Sequence, residues 1–444
     1  MKLKFLGVAT MLVAVASSVE AKQWTLQECI DYALTNNISL RKTEIQRQSA
    51  HEDVLQSQAA LLPSLSASTS QNVTYRPWPQ EESSSVQNGY VQTSVDKVYY
   101  NGSYSVGASW TLWNGNKNRD QVKQYKIAEQ QAELDSAEMA NQLQEQIVQL
   151  YVQILYTTEA VDVNKQSVVT SKANEERGRV MVQVGSMSKA ELSELTAQRA
   201  QDEYTVVEQE SNLRNYKRQL KQLLQITEEE FDVAIPAASD ELALQTIPAL
   251  QTVYTDALAQ RPEIQNAMLG IENSDLSIKM AKAGRLPTVK ASGSVGTNTI
   301  STGSSAWGTQ LKNNLNVGAG ITVSVPIFDN RQVKTAVNKA MLQKQSYMLD
   351  LQDQRTSLYS TIESYWLQAE TNQAKFKAAK VSTKSAQDSY ELLSEQFRVG
   401  LKNTVELMTG KDKLLSAQQS ELQSKYLTIY NIDMLKFYQH GTIK

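Results

Sequence analysis

The chain has 444 residues with 44 basic and 47 acidic side chains, and its formal net charge of −3 gives no electrostatic footprint for nucleic acid. Two histidines far apart, His51 and His440, and a single cysteine, Cys29, exclude a zinc site of ordinary spacing and a disulfide framework. Eight prolines and long tracts of Gln, Glu, Lys, Ala, Ser and Leu point to long helices that bury a stripe each, and away from one thick globular core.

In chain order, Lys2 and Lys4 precede an apolar run over 3–16, and Val19 and Ala21 put small residues at −3 and −1 of a cleavage site. This pattern predicts a secretory signal peptide over 1–21, with Lys22 as the first mature residue. Cys29 then lies too far into the mature chain for an N-terminal lipid anchor and reads as an apolar helix position. Beyond residue 21 no run of about 18 apolar residues occurs, so no transmembrane helix is expected.

A helix comes next, followed by an alternating segment over 64–75. Its even positions are all Ser, Asn or Thr, and Leu65, Ala67, Val73 and Tyr75 stand among the odd ones. A second such segment carries Tyr104, Val106, Ala108, Trp110 and Leu112 on one face. Period-two alternation predicts strands with one apolar and one polar face, and about ten residues is the length of a tilted membrane strand. Trp110, Trp113, Tyr75 and Tyr104 are candidates for an aromatic girdle. The stretch 116–184 lacks proline and has one internal glycine, Gly178; at ~1.5 Å per residue it predicts a helix of about 100 Å. Leu143, Ile147, Leu150, Ile154 and Val161 give it a coiled-coil seam. After a turn at Gly185 the chain returns over 188–230, with Val206, Leu213 and Leu220 seven apart.

The second half repeats this order. At an offset of 224, Leu26-Gln27, Ala33-Leu34 and Leu62-Pro63 meet Leu250-Gln251, Ala257-Leu258 and Leu286-Pro287. At an offset of 215, Val184-Gly185 and Glu191-Leu192 meet Val399-Gly400 and Glu406-Leu407. The expected organisation is a first repeat over 22–230, a linker over 231–248 containing Pro236 and Pro248, a second repeat over 249–438 and a tail over 439–444. The third and fourth strands are expected from residue 288 and over 315–325, the latter alternating Leu315, Val317, Ala319, Ile321, Val323 and Val325 with small or polar residues. The fold class is therefore α+β, internally duplicated, with four membrane strands and long antiparallel helical hairpins. A sheet in lipid must close, and barrels begin at about eight strands, so several copies must pool theirs. Eight, twelve and sixteen strands are all compatible with the sequence.

Glycine at each hairpin tip suits a left-handed helix C-cap, and Ser188 and Thr404 are candidate N-caps of the returning helices. No Gly-x-Ser-x-Gly elbow and no phosphate loop is present, and Gly318-Ala319-Gly320 continues a strand, where a dinucleotide motif would open a helix. Neither an enzyme nor a cofactor is expected. Two classes remain, an export duct and a secreted structural or adhesive coiled coil without a pore.

Together these residues resemble the TolC-like outer-membrane efflux family. The opening helix from Trp24, the Leu-Pro approaches to the strands at Pro63 and Pro287, the strand-to-helix junction Val325 to Asn330 and the tip Phe397-Arg398-Val399-Gly400 carry the resemblance, which covers 24–440. It implies a homotrimer in the outer membrane of a Gram-negative bacterium, with a twelve-stranded barrel above a helical tunnel that reaches into the periplasm. It also implies as partners outer-membrane lipid, a periplasmic membrane-fusion adaptor and, through it, an inner-membrane pump of an efflux or type I secretion system. The adaptor would meet the hairpin tips at Gly185, Ser186, Ser188, Gly400, Asn403 and Thr404. Glu191, Glu194, Lys402 and Glu406 would border the aperture, with Lys402 tying to Glu191 in the closed state. Thr409 stands where the family has a second acidic ring position, and Phe397 where a tyrosine can assist the tie.

Overall fold

The computed structural model describes residues 23–78, 85–87, 90–92, 97–227, 231–236, 239–302 and 305–441. The signal peptide over 1–21, Lys22 and the last three residues of the tail lie outside them. In chain order the elements are β1 (Gln23–Trp24), α1 (Leu26–Asn36), α2 (Ile38–Ala59), β2 (Ser64–Tyr75), β3 (Ser85–Gln87), β4 (Tyr90–Gln92), β5 (Val98–Trp113), α3 (Lys117–Gln183), α4 (Lys189–Leu224), β6 (Asp232–Val233), α5 (Ser239–Ala243), α6 (Leu250–Gln260), α7 (Pro262–Ala283), β7 (Thr288–Ile300), α8 (Trp307–Asn313), β8 (Asn316–Ser324), α9 (Gln332–Arg398) and α10 (Thr404–His440). The chain divides into two compact units, and each repeat contributes to both.

Unit 1 takes the chain up to Arg41, Met139–Arg261 and Leu358 onward. The seam expected in α3 buries Leu143, Ile147, Ile154 and Val161, and α9 contributes Leu358, Ile362, Ala369 and Phe376. The helix α10 is sunk deepest, with Tyr426, Ile432, Met434, Leu435 and Phe437 almost fully covered. In α4 only Leu220 of the expected seam is buried, while Val206 and Leu213 stay half-exposed; Leu195, Asp202 and Leu224 are the other buried positions. The segment read as a linker carries structure of its own. Its strand β6 pairs in parallel with β1, Trp24 opposite Val233, and the Tyr151 hydroxyl donates to the Ala234 carbonyl at 2.6 Å. Two-residue strands leave no period to read, which hid this pairing in the sequence.

Unit 2 takes Lys42–Glu138 and Pro262–Ser357 and holds an antiparallel sheet in the order β2-β5-β7-β8. The register aligns the alternation across all four strands. One row reads Ala67, Val106, Val295, Val317; on the opposite face a row reads Ser64, Ser109, Ser292, Gly320. Serine pairs on the polar face bond across strands, Ser64 to Ser109 and Ser68 to Ser105, each at 2.8 Å. Among the described residues Trp307 of α8 packs against Tyr104 at one end of the apolar face, and the rest of that face is open: Leu65, Val317 and Ile321 are each more than 70% exposed. Both β2 and β8 pair on one side only, so the sheet ends in two open edges.

Strands β5 and β7 run longer than their alternation. Because β2 pairs along its whole length, β5 reaches back to Val98 opposite Tyr75, and β7 follows it to Ile300. There the Gln310 side chain of α8, a helix absent from the sequence reading, accepts from the Ile300 N–H and donates to its carbonyl.

Candidate functional site

The two hairpin tips of unit 1 are built on one plan, 215 residues apart. After α3, Gly185 has φ +77°, its N–H donates to the Val182 carbonyl at 3.1 Å, and the Ser186 N–H reaches the Met181 carbonyl at 2.9 Å. After α9, Gly400 has φ +77° and the same two bonds run to Phe397 and Gln396. An added Cβ at either glycine meets nothing within 4 Å, so the left-handed backbone alone calls for glycine. Three residues further on, Ser188 caps α4: its hydroxyl accepts the Glu191 N–H at 3.2 Å, and its own N–H donates to the Glu191 carboxylate at 2.9 Å. Asn403 and Glu406 form the same capping box on α10.

Ser188 is thus the cap expected from the sequence, but Thr404 is not. Asn403 takes that place, and Thr404 becomes the first helical residue, 1% exposed, its hydroxyl without a hydrogen-bond partner. An asparagine side-chain carbonyl one residue earlier reaches the Glu406 N–H and completes the box, so it wins over the threonine hydroxyl. Glu191 and Glu406 both close caps. The Ser188 backbone N–H holds the Glu191 carboxyl below its usual range, and Lys402, then the Asn403 N–H, does so for Glu406. Within one chain Lys402 binds Glu406, four residues on, and not Glu191. Glu194 is exposed, as are Gly185, Ser186 and Gly400. Phe397 is an apolar knob: it is buried with Leu195, Tyr390 and Leu407, packed by Met181, Met187, Met408 and Leu414.

Behind the tips the helices approach closely through a contact that the duplication inverts. Gly178 of α3 leaves room for Leu195 of α4, whose Cδ1 would stand 2.7 Å from an added Cβ. The matching positions are Leu393 of α9 and Gly410 of α10, and there the glycine receives the leucine at 2.6 Å. Next to them lies a buried polar cluster. The Asp202 carboxylate of α4 accepts from the Lys411 ammonium of α10 and the Ser171 hydroxyl of α3, with the Gln198 amide donating at 3.1 Å. Asp202 and Lys411 are 6% and 5% exposed. In addition, the Asn174 amide donates to the Tyr390 hydroxyl at 3.1 Å. Sequence reading missed this cluster, although a signal was present: Asp202 follows Leu195 by seven, and Lys411 falls on the stripe Thr404, Leu407, Lys411, Leu414. Among the described residues no group of His, Cys, Asp or Glu could hold a metal ion.

The family described as "Outer membrane efflux protein" matches over residues 29–225 and 253–431, one stretch in each repeat. The chain belongs to the outer membrane efflux protein family. It is 21% identical to the outer membrane protein TolC of Escherichia coli K12 over 415 residues, 91% of this chain and 80% of TolC. It is also 21% identical to the toxin and drug export protein A of Aggregatibacter actinomycetemcomitans over 421 residues, 92% of this chain and 84% of that one. The fold matches the crystal structure of the CmeC outer membrane channel of Campylobacter jejuni with a TM-score of 0.78 and 19% identity, covering 100% of this chain and 95% of CmeC. Efflux-family membership brings outer-membrane localisation, with the helical part extending into the periplasm. The segment that holds β6 and α5 lies between the two matched stretches.

Proposed function

We propose that three copies of this chain form the exit duct of a tripartite efflux or type I secretion system. Their twelve strands close one barrel in the outer membrane, and their hairpins form a tunnel. A periplasmic adaptor, itself bound to an inner-membrane pump, docks on the tips around Gly185, Ser186, Ser188, Gly400, Asn403 and Thr404. The observation that carries this reading is the sheet of unit 2, which among the described residues has a largely open apolar face and two edge strands that pair on one side only. Unpaired edges are excluded from lipid and hazardous in water, and closure with further copies satisfies both. The detergent-solubilised chain is expected to be a homotrimer by multi-angle light scattering. A monodisperse monomer with its strand content intact would sink the proposal.

The tips are the proposed aperture, bordered by Glu191, Glu194, Lys402 and Glu406. In the proposed ring, the Lys402 ammonium, bound to Glu406 within one chain, would reach Glu191 of a neighbouring hairpin. Lys402→Glu replaces that cation with an anion four residues from Glu406, so it should leave trimers intact and raise single-channel conductance in planar bilayers. Glu406→Gln keeps a side chain that can still complete the capping box and should lower cation selectivity without opening the mouth. If Lys402→Glu trimers conduct like the unsubstituted protein, packing such as that around Phe397 holds the aperture.

A further inference from the structure

Seven cations without ion-pair partners among the described residues gather at one end of the sheet of unit 2. Strands β2, β5, β7 and β8 together contain one charged residue, Lys290. All four of their connections to the helices α2, α3, α7 and α9 lie at the same end, because Ser64 pairs with Ser109, Val289 with Trp113 and Thr288 with Ser324. There Lys117 and Arg119 open α3, Lys279, Lys282 and Arg285 close α7 and its turn, and Arg331 and Lys334 flank the start of α9. All seven are exposed, and none forms an ion pair with a described residue.

The acids in these stretches are already engaged. Asp120 pairs with Lys123 at 3.2 Å, and the Asp329 carboxylate accepts the backbone N–H groups of Arg331 and Val333. The N-termini of α3 and α9 add their own partial positive charge. At the opposite end of the sheet the described cations are Arg76, Lys97 and Lys312. Helix dipoles explain Lys282, in the last turn of α7. They do not explain cations beside the positive ends of α3 and α9.

Apolar side chains stand among these cations. Ile327 and Phe328, between β8 and α9, are 96% and 83% exposed, and Trp113 closes β5 at the end of the uncovered apolar face. Cations interleaved with exposed aliphatic and aromatic groups, continuous with a bare apolar surface, match the boundary where acyl chains give way to headgroups. An acidic protein or a nucleic acid would complement the charge and leave Ile327 and Phe328 in water.

We propose that this end of the sheet is a collar for anionic phospholipid headgroups, on the leaflet that faces the helices. The proposal rests on the reading of the sheet as membrane-spanning. Cations beside an anionic leaflet each favour binding by about fivefold, and the effect dies within a Debye length of about 8 Å at physiological salt.

The full chain in detergent is exposed to an equal mixture of phosphatidylcholine and phosphatidylglycerol, and retained lipid is read by native mass spectrometry. Phosphatidylglycerol should be retained about fivefold or more over phosphatidylcholine. The variant Lys279→Gln/Lys282→Gln/Arg285→Gln removes three of the seven cations and should lower the ratio severalfold, whereas Lys279→Arg/Lys282→Arg should keep it, which separates lost charge from lost fold. Equal retention of the two lipids by the unsubstituted chain, or an unchanged ratio in the triple variant, overturns the collar and leaves the membrane reading standing. A chain that retains neither lipid and stays dispersed without detergent overturns the membrane reading, and the collar with it.

Discussion

Replacing Lys411 by Met should cost unit 1 about 3–5 kcal/mol, the largest single-site loss expected in the helical part of this chain. Asp202 and Lys411 face each other from α4 and α10 in a site that is almost closed to water, with Ser171 of α3 as a third partner. Desolvating two charges offsets most of their attraction, so the intact pair adds little net stability. Removing one partner is different in kind, because the other charge stays buried without a counter-charge. The pair Asp202→Leu/Lys411→Met removes both charges and should recover most of the loss. Urea unfolding followed by far-ultraviolet circular dichroism in detergent reads all three proteins. A Lys411→Met variant within about 1 kcal/mol of the unsubstituted chain would falsify the account, since a buried carboxylate left with only the neutral donors Ser171 and Gln198 should cost more than that.

The cluster also marks where the two repeats diverge. The positions matching Asp202 and Lys411 in the other repeat are Ala417 and Thr196, so the ion pair occurs once per chain. In the proposed ring of alternating hairpins, contacts between hairpins come in two kinds, within a chain and between chains. A buried pair present in only one kind gives each hairpin a distinct neighbour, a role of the sort that single polar residues play in coiled-coil register. The inverted contact of Gly178 with Leu195 and Leu393 with Gly410 acts inside each hairpin and does not distinguish them.

Long elements were legible because their periods run for many turns. The helix expected over 116–184 is Lys117–Gln183, and the strand expected over 64–75 is Ser64–Tyr75. The tips were legible through Gly185 and Gly400, whose positive φ few other residues accept. What escaped depends on partners distant in sequence. The extension of β5 to Val98 is dictated by the length of β2, and the pairing of β1 with β6 spans two residues on each side. Thr404 and Asn403 both have capping chemistry, and only the backbone geometry decides between them. Asp202 and Lys411 escaped because seam position and charge point opposite ways, and only the fold shows which consideration won. Phe397 was read for the hydroxyl it lacks, while its ring fills the core between the hairpins.

Ile321→Arg should abolish stable assembly in the outer membrane, while Gly320→Ser, its immediate neighbour, should be nearly silent. Ile321 lies in a row with Ala291 and Trp110 on the uncovered face, and is 71% exposed within one chain. On the proposed barrel that face meets lipid, where an arginine at mid-membrane depth costs ~2–4 kcal/mol. The cost falls once on every copy, so a trimer carries it three times, and assembly depends on the sum. Gly320 points to the serine face beside Ser292, whose hydroxyl would stand 3.9 Å from an added Cβ, an ordinary contact. A serine there joins a surface already built of serines. The readout is the fraction of chain recovered as heat-resistant oligomer from outer-membrane pellets. Equal recovery of the two variants would mean that the faces are not chemically distinct in the assembled protein, and the alternation along β8 would then belong to a sheet packed in water. Loss of both would place the polar face against a surface too tight for a serine, which a water-filled barrel interior does not offer. Only loss of Ile321→Arg with retention of Gly320→Ser fits strands whose apolar side faces lipid and whose serine rows line the passage.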